Sequence, residues 1–351
     1  MQIMQTGTIL WQPDLDALAE KSWGRFSRSA SEIAGADLNT FEALHAWSVE
    51  DTEGFWNLVW DFTGIVGDKG RPVISDQMAM PGARFFPESR LNFAENLLRK
   101  QGIEDAIVFR GEDKAADKYS WDDLRNAVSR MQQFMVDAGI CTGDRVAAMM
   151  PNMPETVIGM LAATSLGAVW SSCSPDFGEG GVLDRFGQIE PKMLIACDGY
   201  WYNGKQIDVR EKLQAITAKL PTLERVVVVD YLSRAVDVAG KIENGYDWDA
   251  ATASYAPKAL HFERLPFSHP LYILFSSGTT GIPKCIVHSQ GGTLIQHLKE
   301  QQLHCGIEEG DRVFYFTTCG WMMWNWLVTV LASGATLMLY DGSPFAPGGE
   351  V

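Results

Sequence analysis

Between about Ala106 and Asp230 the chain alternates short apolar runs with stretches whose apolar side chains recur every three or four residues, the two periods of strand and helix. Ala106-Ile107-Val108-Phe109 reads as a short strand. Ser120 then caps a helix through Ala138, with Asp123 at the capping-box position and Gly139 as its stop. Arg145 to Met150, Ala168 to Ser172, Met193 to Cys197 and Arg225 to Asp230 follow as strands, and Pro154 to Leu166 as a helix. Strands that are apolar from end to end and separated by helices predict an α/β domain with mostly parallel pairing.

The flanking text differs. The first ninety or so residues are rich in Trp and Phe, and spacing such as Phe55, Trp56, Val59, Trp60 predicts short amphipathic helices packed on a larger body. Pro81-Gly82 opens a loop, and Leu91 to Leu98 reads as the helix that begins the main domain, so the boundary is expected between an N-terminal region, residues 1–90, and a domain over 91–351. Asp230 to Pro270 is less regular and is expected to be a connecting region. An internal echo supports two subdomains: Gly143-Asp144-Arg145-Val146 returns as Gly310-Asp311-Arg312-Val313, and Gly167-Ala168 as Gly334-Ala335 at the same spacing. Each copy reads strand, helix, Gly-Ala, strand, one βαβ unit.

Val313 to Tyr340 carries no charged residue and is long enough to span a bilayer. Thr317, Thr318, Gly320, Asn325, Ser333 and Gly334 divide it into strand, loop, helix and strand, so a buried βαβ unit is expected instead. A formal charge of −15 with no basic run argues against nucleic acid or an anionic membrane surface as partner. Six cysteines (Cys141, Cys173, Cys197, Cys285, Cys305, Cys319) form neither a C-x-x-C pair nor a metal-like cluster with the six histidines. They are expected to be reduced, mostly buried thiols of a cytoplasmic protein, with no metal site. Met1 to Pro13 has no basic segment followed by an apolar one, so no export signal is visible.

The densest chemistry follows the apolar run Leu271 to Phe275, in Ser276-Ser277-Gly278-Thr279-Thr280-Gly281-Ile282-Pro283-Lys284. Glycines let backbone N–H groups close on an anion, hydroxyls add donors, and a lysine supplies mobile positive charge. That composition suits polyphosphate, although a polar turn after a buried strand draws on the same residues. The P-loop pattern G-x-x-x-x-G-K-(S/T) does not fit, since Gly278 and Gly281 stand too close and Lys284 too far beyond them. A kinase or NTPase is therefore a second choice.

The run resembles the signature loop of the AMP-forming acyl-CoA synthetase, or adenylate-forming, superfamily: (Ser/Thr)-Ser-Gly-(Ser/Thr)-Thr-Gly-x-Pro-Lys-Gly, departing only at Cys285. The resemblance covers about Leu91 to Val351, and the aromatic N-terminal part looks like the extra region of acetyl-CoA-synthetase-like members. Within that branch the runs Trp170 to Gly178 and Thr317 to Trp326 are most similar to members that activate acetoacetate. The resemblance implies the large N-terminal domain of the adenylate-forming fold, here incomplete. It also implies a reaction in which acetoacetate attacks the α-phosphate of Mg²⁺-bound ATP and CoA then displaces AMP.

By matching position, Ser276, Ser277, Gly278, Thr279, Thr280, Gly281 and Lys284 would wrap the ATP phosphates, with Thr280 and Lys284 catalytic. Trp321, Met322, Met323, Trp324 and Asn325 would line the acyl pocket, where soft methionines suit a second carbonyl and Asn325 is placed to bond it. Gly204 and Lys205 match a Gly-Arg pair that touches CoA, although Tyr202 stands where relatives carry arginine. His288 is expected to be structural. The family continues past Val351 into the rest of this domain and a small C-terminal domain with a catalytic lysine. The chain is thus expected to be a fragment that does not adenylate by itself, its missing C-terminal part being a partner.

Overall fold

After a first short helix, Leu15–Ala19, three longer helices begin the chain's N-terminal region. Among the residues a computed structural model describes, 14–276, 281–346 and 348, they are α1 (Ser22–Ala34), α2 (Phe41–Glu50) and α3 (Thr52–Thr63). Polar side chains and glycines set their ends. Thr40 accepts from the Ala43 N–H and Asp51 from the Gly54 N–H, while Gly35 and Gly64 close α1 and α3 in the left-handed region. Their inward faces build an aromatic cluster in which Phe26 meets Phe62 edge-on at 5.3 Å. Trp60 packs on Phe86 at 4.8 Å and Phe86 on Phe267 at 5.3 Å, so this cluster joins the core of the main body. The aromatic stripe is core, as its helical spacing predicts.

The body opens with α4 (Phe93–Leu97), capped by Asn92, and the hairpin β1 (Asp105–Gly111) and β2 (Ala115–Ser120). The helix α5 (Trp121–Asp137) carries the full reciprocal capping box of Ser120 and Asp123. Then come β3 (Arg145–Met149), α6 (Pro154–Ser165), β4 (Val169–Cys173), α7 (Glu179–Ile189) and β5 (Met193–Cys197), each within a residue or two of its sequence expectation where one was made. A second hairpin, β6 (Gly199–Tyr202) and β7 (Lys205–Asp208), precedes α8 (Arg210–Thr217) and β8 (Arg225–Val229). The expected connecting region has structure of its own, including β9 (Gly245–Asp247), which joins the sheet edge. The chain continues through β10 (Pro270–Phe275), β11 (Cys285–Ser289), α9 (Gln290–Lys299), β12 (Arg312–Phe314), α10 (Met322–Val328) and β13 (Thr336–Asp341).

Two sheets carry the body. One is seven-stranded, in the order β9-β8-β5-β3-β4-β10-β11, parallel except for β11. The other is four-stranded, in the order β12-β13-β1-β2, parallel except for β2. The chain steps from β3 one way to β4 and then back past β3 to β5. Right-handed crossovers therefore put α6 and α7 on opposite faces, a doubly wound arrangement. All of α6 except Glu155 is buried, the mark of a helix enclosed by protein on every side.

The sequence echo is a structural repeat. β3 pairs with β4 with Arg145 opposite Val169, and β12 with β13 with Arg312 opposite Thr336. In both copies the first glycine donates to the second, Gly143 to Gly167 at 3.0 Å and Gly310 to Gly334 at 3.2 Å. Gly167 and Gly334 both take φ near the same left-handed value, 76° and 74°. Each copy lies in its own sheet, so the uncharged stretch from Val313 is a βαβ unit. No helix among the described residues is long and apolar enough to cross a membrane.

Candidate active site

Parallel strands bring their carboxyl ends to one side of a sheet, where open α/β sheets receive ligands. The serine, threonine and glycine run leaves the carboxyl end of β10 there and returns as β11. Its neck is closed by the Ser276 N–H donating to the Lys284 carbonyl at 3.0 Å. Ser277, Gly278, Thr279 and Thr280 lie outside the described residues. Gly281 takes φ 132°, open to glycine and rare for other residues, and Lys284 is exposed with no ion pair among the described residues. Gln188 of α7 donates to the Pro283 carbonyl at 2.9 Å and fixes the returning limb.

The two long signatures meet. Ser171 of β4 donates to the Ile273 carbonyl in β10 (2.7 Å), and Ser172 to the Cys319 carbonyl (2.6 Å). Cys319 donates its thiol to the Met150 carbonyl at 2.8 Å. Gly320 passes so near that a Cβ there would stand 3.4 Å from the Cys173 Cα. After β4, the loop Pro175 to Phe177 is gripped by Lys212, which donates to the Phe177 carbonyl at 2.9 Å, and by Arg185 stacked 4.3 Å from the Phe177 ring centroid. These motifs form the seam between the two sheets.

The Trp-Met-Met-Trp-Asn-Trp run becomes α10, and its helical period divides it. Trp321 and Met322 are exposed, whereas Trp324 and Asn325 are buried. Met322, Met323 and Trp326 form one wall of a groove of about 780 Å³, with Val287, His288 and His297 opposite. Trp321, Trp324 and Asn325 are not among the groove's lining residues. Trp324 donates its indole N–H to Asn152 at 2.9 Å and so ties α10 to the β3–α6 turn. Asn325 lies beneath the groove wall, and its side-chain amide makes no hydrogen bond among the described residues.

Histidine chemistry at the groove follows from burial. Desolvation, helped by the neighbouring His288, drives His297 down to about 3, so it is neutral near pH 7. The Thr329 hydroxyl donates to the Asn325 carbonyl at 2.8 Å. The 2.9 Å contact from His297 Nδ1 to the same hydroxyl oxygen therefore places the ring proton on Nδ1 and leaves Nε2 an acceptor. His288 is lowered by desolvation too. It sits within β11 and also lines the groove.

Gly204 and Lys205 sit at the tip of the β6–β7 hairpin, Lys205 exposed. Glu112, which no motif singled out, accepts from the Asn203 and Gly204 backbones there. Asp341, at the carboxyl end of β13, is pushed up to about 7 by burial, with Tyr231 and Asn152 opposing the rise. Sequence reasoning missed both acids, as well as His297 and Asn152, because nothing local marks them. The cysteines divide evenly, Cys173, Cys197 and Cys319 buried and Cys141, Cys285 and Cys305 exposed, so the expectation of mostly buried thiols does not hold.

Comparison with known proteins places these features in context. Residues 95–350 match the family described as AMP-binding enzyme, and residues 41–97 match acetyl-coenzyme A synthetase N-terminus. An acetoacetyl-coenzyme A synthetase of Rhizobium meliloti (strain 1021) is 56% identical over 99% of this chain and 53% of its own length. The acetoacetyl-CoA synthetase of Rattus norvegicus is 44% identical over 97% of the chain and 51% of its own length. A solved structure, acetoacetyl-CoA synthetase from Streptomyces lividans, superposes with a TM-score of 0.90 at 41% identity, over 97% of this chain and 52% of that one. The chain thus spans about half the length of these relatives.

Proposed function

The chain belongs to the AMP-binding enzyme family, and from that premise we propose that the protein carrying it joins acetoacetate to CoA, forming AMP and pyrophosphate from ATP. Residues 1–90 act as its N-terminal region and 91–351 as part of its adenylation domain. The observation that carries the reading is the bond from the Ser276 N–H to the Lys284 carbonyl, which brings the two ends of the Ser/Thr-Gly run together at the carboxyl edge of the parallel sheet. The reading also draws on the relatives, whose names specify acetoacetyl-CoA.

In the first step a carboxylate oxygen of acetoacetate bonds to the α-phosphorus. The bond from that phosphorus to the bridging oxygen breaks, and pyrophosphate leaves with the electron pair. Ser276, Ser277, Gly278, Thr279, Thr280 and Gly281 hold the phosphates, and Lys284 neutralises charge that grows on the departing pyrophosphate. The acid lies against Met322 and Met323, with Trp324 and Asn325 buried behind that wall and Trp321 exposed at its start. In the second step the CoA sulfur bonds to the acyl carbon, the acyl carbon–oxygen bond breaks and AMP departs, while the thiol proton passes to solvent. Gly204 and Lys205 contact CoA. Mg²⁺, when bound with ATP, would neutralise phosphate oxygens. Among the described residues no group of three His, Cys, Asp or Glu side chains could hold a metal ion.

Positioning and charge suffice for both halves, so a protein nucleophile is not required. The remainder of the protein's length supplies the rest of the site, and the cytoplasm is its expected location. Acetoacetate-dependent exchange of labelled pyrophosphate into ATP by the whole protein is the test. Exchange with acetate or propionate and not acetoacetate would move the assignment to a ligase for those acids, and release of ADP would overturn it.

A further inference from the structure

Glu112 is a buried carboxylate in an unusual place. It follows β1 directly, takes φ 47° in the left-handed region and is 4% exposed. Its own N–H extends the ladder by donating to the Asp341 carbonyl at 3.1 Å, so the backbone is anchored to the end of β13. Its side chain accepts three backbone N–H groups: Asn203 at 2.6 Å, Gly204 at 2.8 Å and Ser343 at 2.9 Å. Gly342 packs against it so closely that a Cβ there would lie 2.3 Å from the Glu112 Cγ.

The turn explains why a carboxylate is wanted. Tyr202 pairs with Lys205 across two central residues, Asn203 and Gly204, both with positive φ, 52° and 72°. That is the two-residue hairpin turn favoured by Asn-Gly. The central N–H groups of such a turn face outward, unpaired by the hairpin, and two adjacent donors make a small anion cradle. Glu112 fills it from the neighbouring sheet. The tip that carries Lys205 is thereby held to the end of β1 and to the segment after β13, whereas the hairpin's own ladder fixes it only to itself.

We infer that Glu112 is a positioning residue for thioester formation: it holds the β6–β7 tip, and with it Lys205, in place for CoA. The inference rests on the proposed reading of Gly204 and Lys205 as CoA contacts. Glu112→Gln keeps the shape but sets an amide N–H₂ against backbone donors, so the cradle opens without a cavity. In the whole protein this variant is expected to raise KM for CoA about tenfold, as a misplaced contact does. Acetoacetate-dependent ATP–pyrophosphate exchange should stay within about twofold of the parent, because adenylation does not use CoA. Lys205→Ala should raise KM for CoA as well. The double variant should be no worse than Lys205→Ala alone, since one residue acts through the other. A Glu112→Gln protein whose exchange falls together with its thioester formation, or whose KM for CoA is unchanged, overturns the inference. Independent, multiplying effects of the two substitutions overturn it too. Absence of exchange in the parent itself would instead sink the ligase reading, so the two failures are told apart.

Discussion

Lys284 is the residue on which the phosphate reading most directly depends. Its side chain is exposed and makes no ion pair among the described residues, and the backbone bond from Ser276 survives truncation, so Lys284→Ala should leave the thermal midpoint unchanged. It should also lower exchange in the whole protein by about a hundredfold, the usual loss when a group that stabilises developing charge is removed. Calorimetry paired with the exchange assay checks both halves. Trp324 is expected to behave in the opposite way. Trp324→Phe removes the N–H that satisfies Asn152 and part of a fully buried ring, so it should cost at least about 1 to 3 kcal/mol in urea unfolding. Asp341 adds a pH signature. Its carboxyl is raised from 3.8 to about 7 in the folded state, so the folded chain binds more protons than the unfolded one between those values. Stability from this group is full below about pH 4 and is lost as pH rises to about 7. Asp341→Asn should therefore gain on the parent progressively through that window and hold a constant advantage above it, measured by denaturation across pH. Lys284 and Trp324 both stand in motifs that the sequence singles out, whereas nothing local marks Asp341. The roles of Trp324 and Asp341 depend on partners far away in the chain.

At the scale of elements, legibility followed periodicity and caps. The helix α5 could be read to within one residue because Ser120, Asp123 and Gly139 are local signals whose partners lie within a turn or two. The paired βαβ copies could be read because the same glycines recur at the same spacing. The geometry makes those glycines testable. Gly334→Ala should cost about 1 kcal/mol for the left-handed backbone, its Cβ meeting the exposed and yielding Glu309 side chain at 3.1 Å. Gly167→Ala should cost more, since its Cβ would also stand 2.4 Å from the Leu265 Cδ1. Comparing the two by chemical denaturation separates backbone strain from overpacking. Strands such as β2 and β9 were not legible. The first is half exposed and polar and the second is three residues long, so neither has an apolar run to announce it. The Asn203-Gly204 pair does carry a local signal for the β6–β7 hairpin, the Asn-Gly turn with both φ positive.

For the whole molecule, the two sheets end in edge strands that carry apolar side chains outward. Val287 of β11 is 55% exposed and Phe314 of β12 54%, with Trp321 nearby in sequence at 68%. Exposed apolar edges invite association, and the charge of −15 opposes it. Salt screens that repulsion over about 10 Å at 0.1 M. Light scattering of the 351-residue chain should therefore rise with ionic strength, and Val287→Lys with Phe314→Lys should suppress the rise. No change in scattering up to molar salt would show that these edges are not adhesive.

The sequence by itself determined what is local or periodic: the α/β class, the duplicated unit, the Ser120 cap of α5 and the family resemblance of the serine, threonine and glycine run. Tertiary structure alone decided which distant groups meet. It divided Trp321 to Trp326 between groove wall and core by the phase of one helix. It joined the two signatures through Ser172 and Cys319, and it set Glu112 beneath a turn some ninety residues away. The physical reason is that hydrogen bonding and burial act through space, while composition and spacing record only neighbours along the chain.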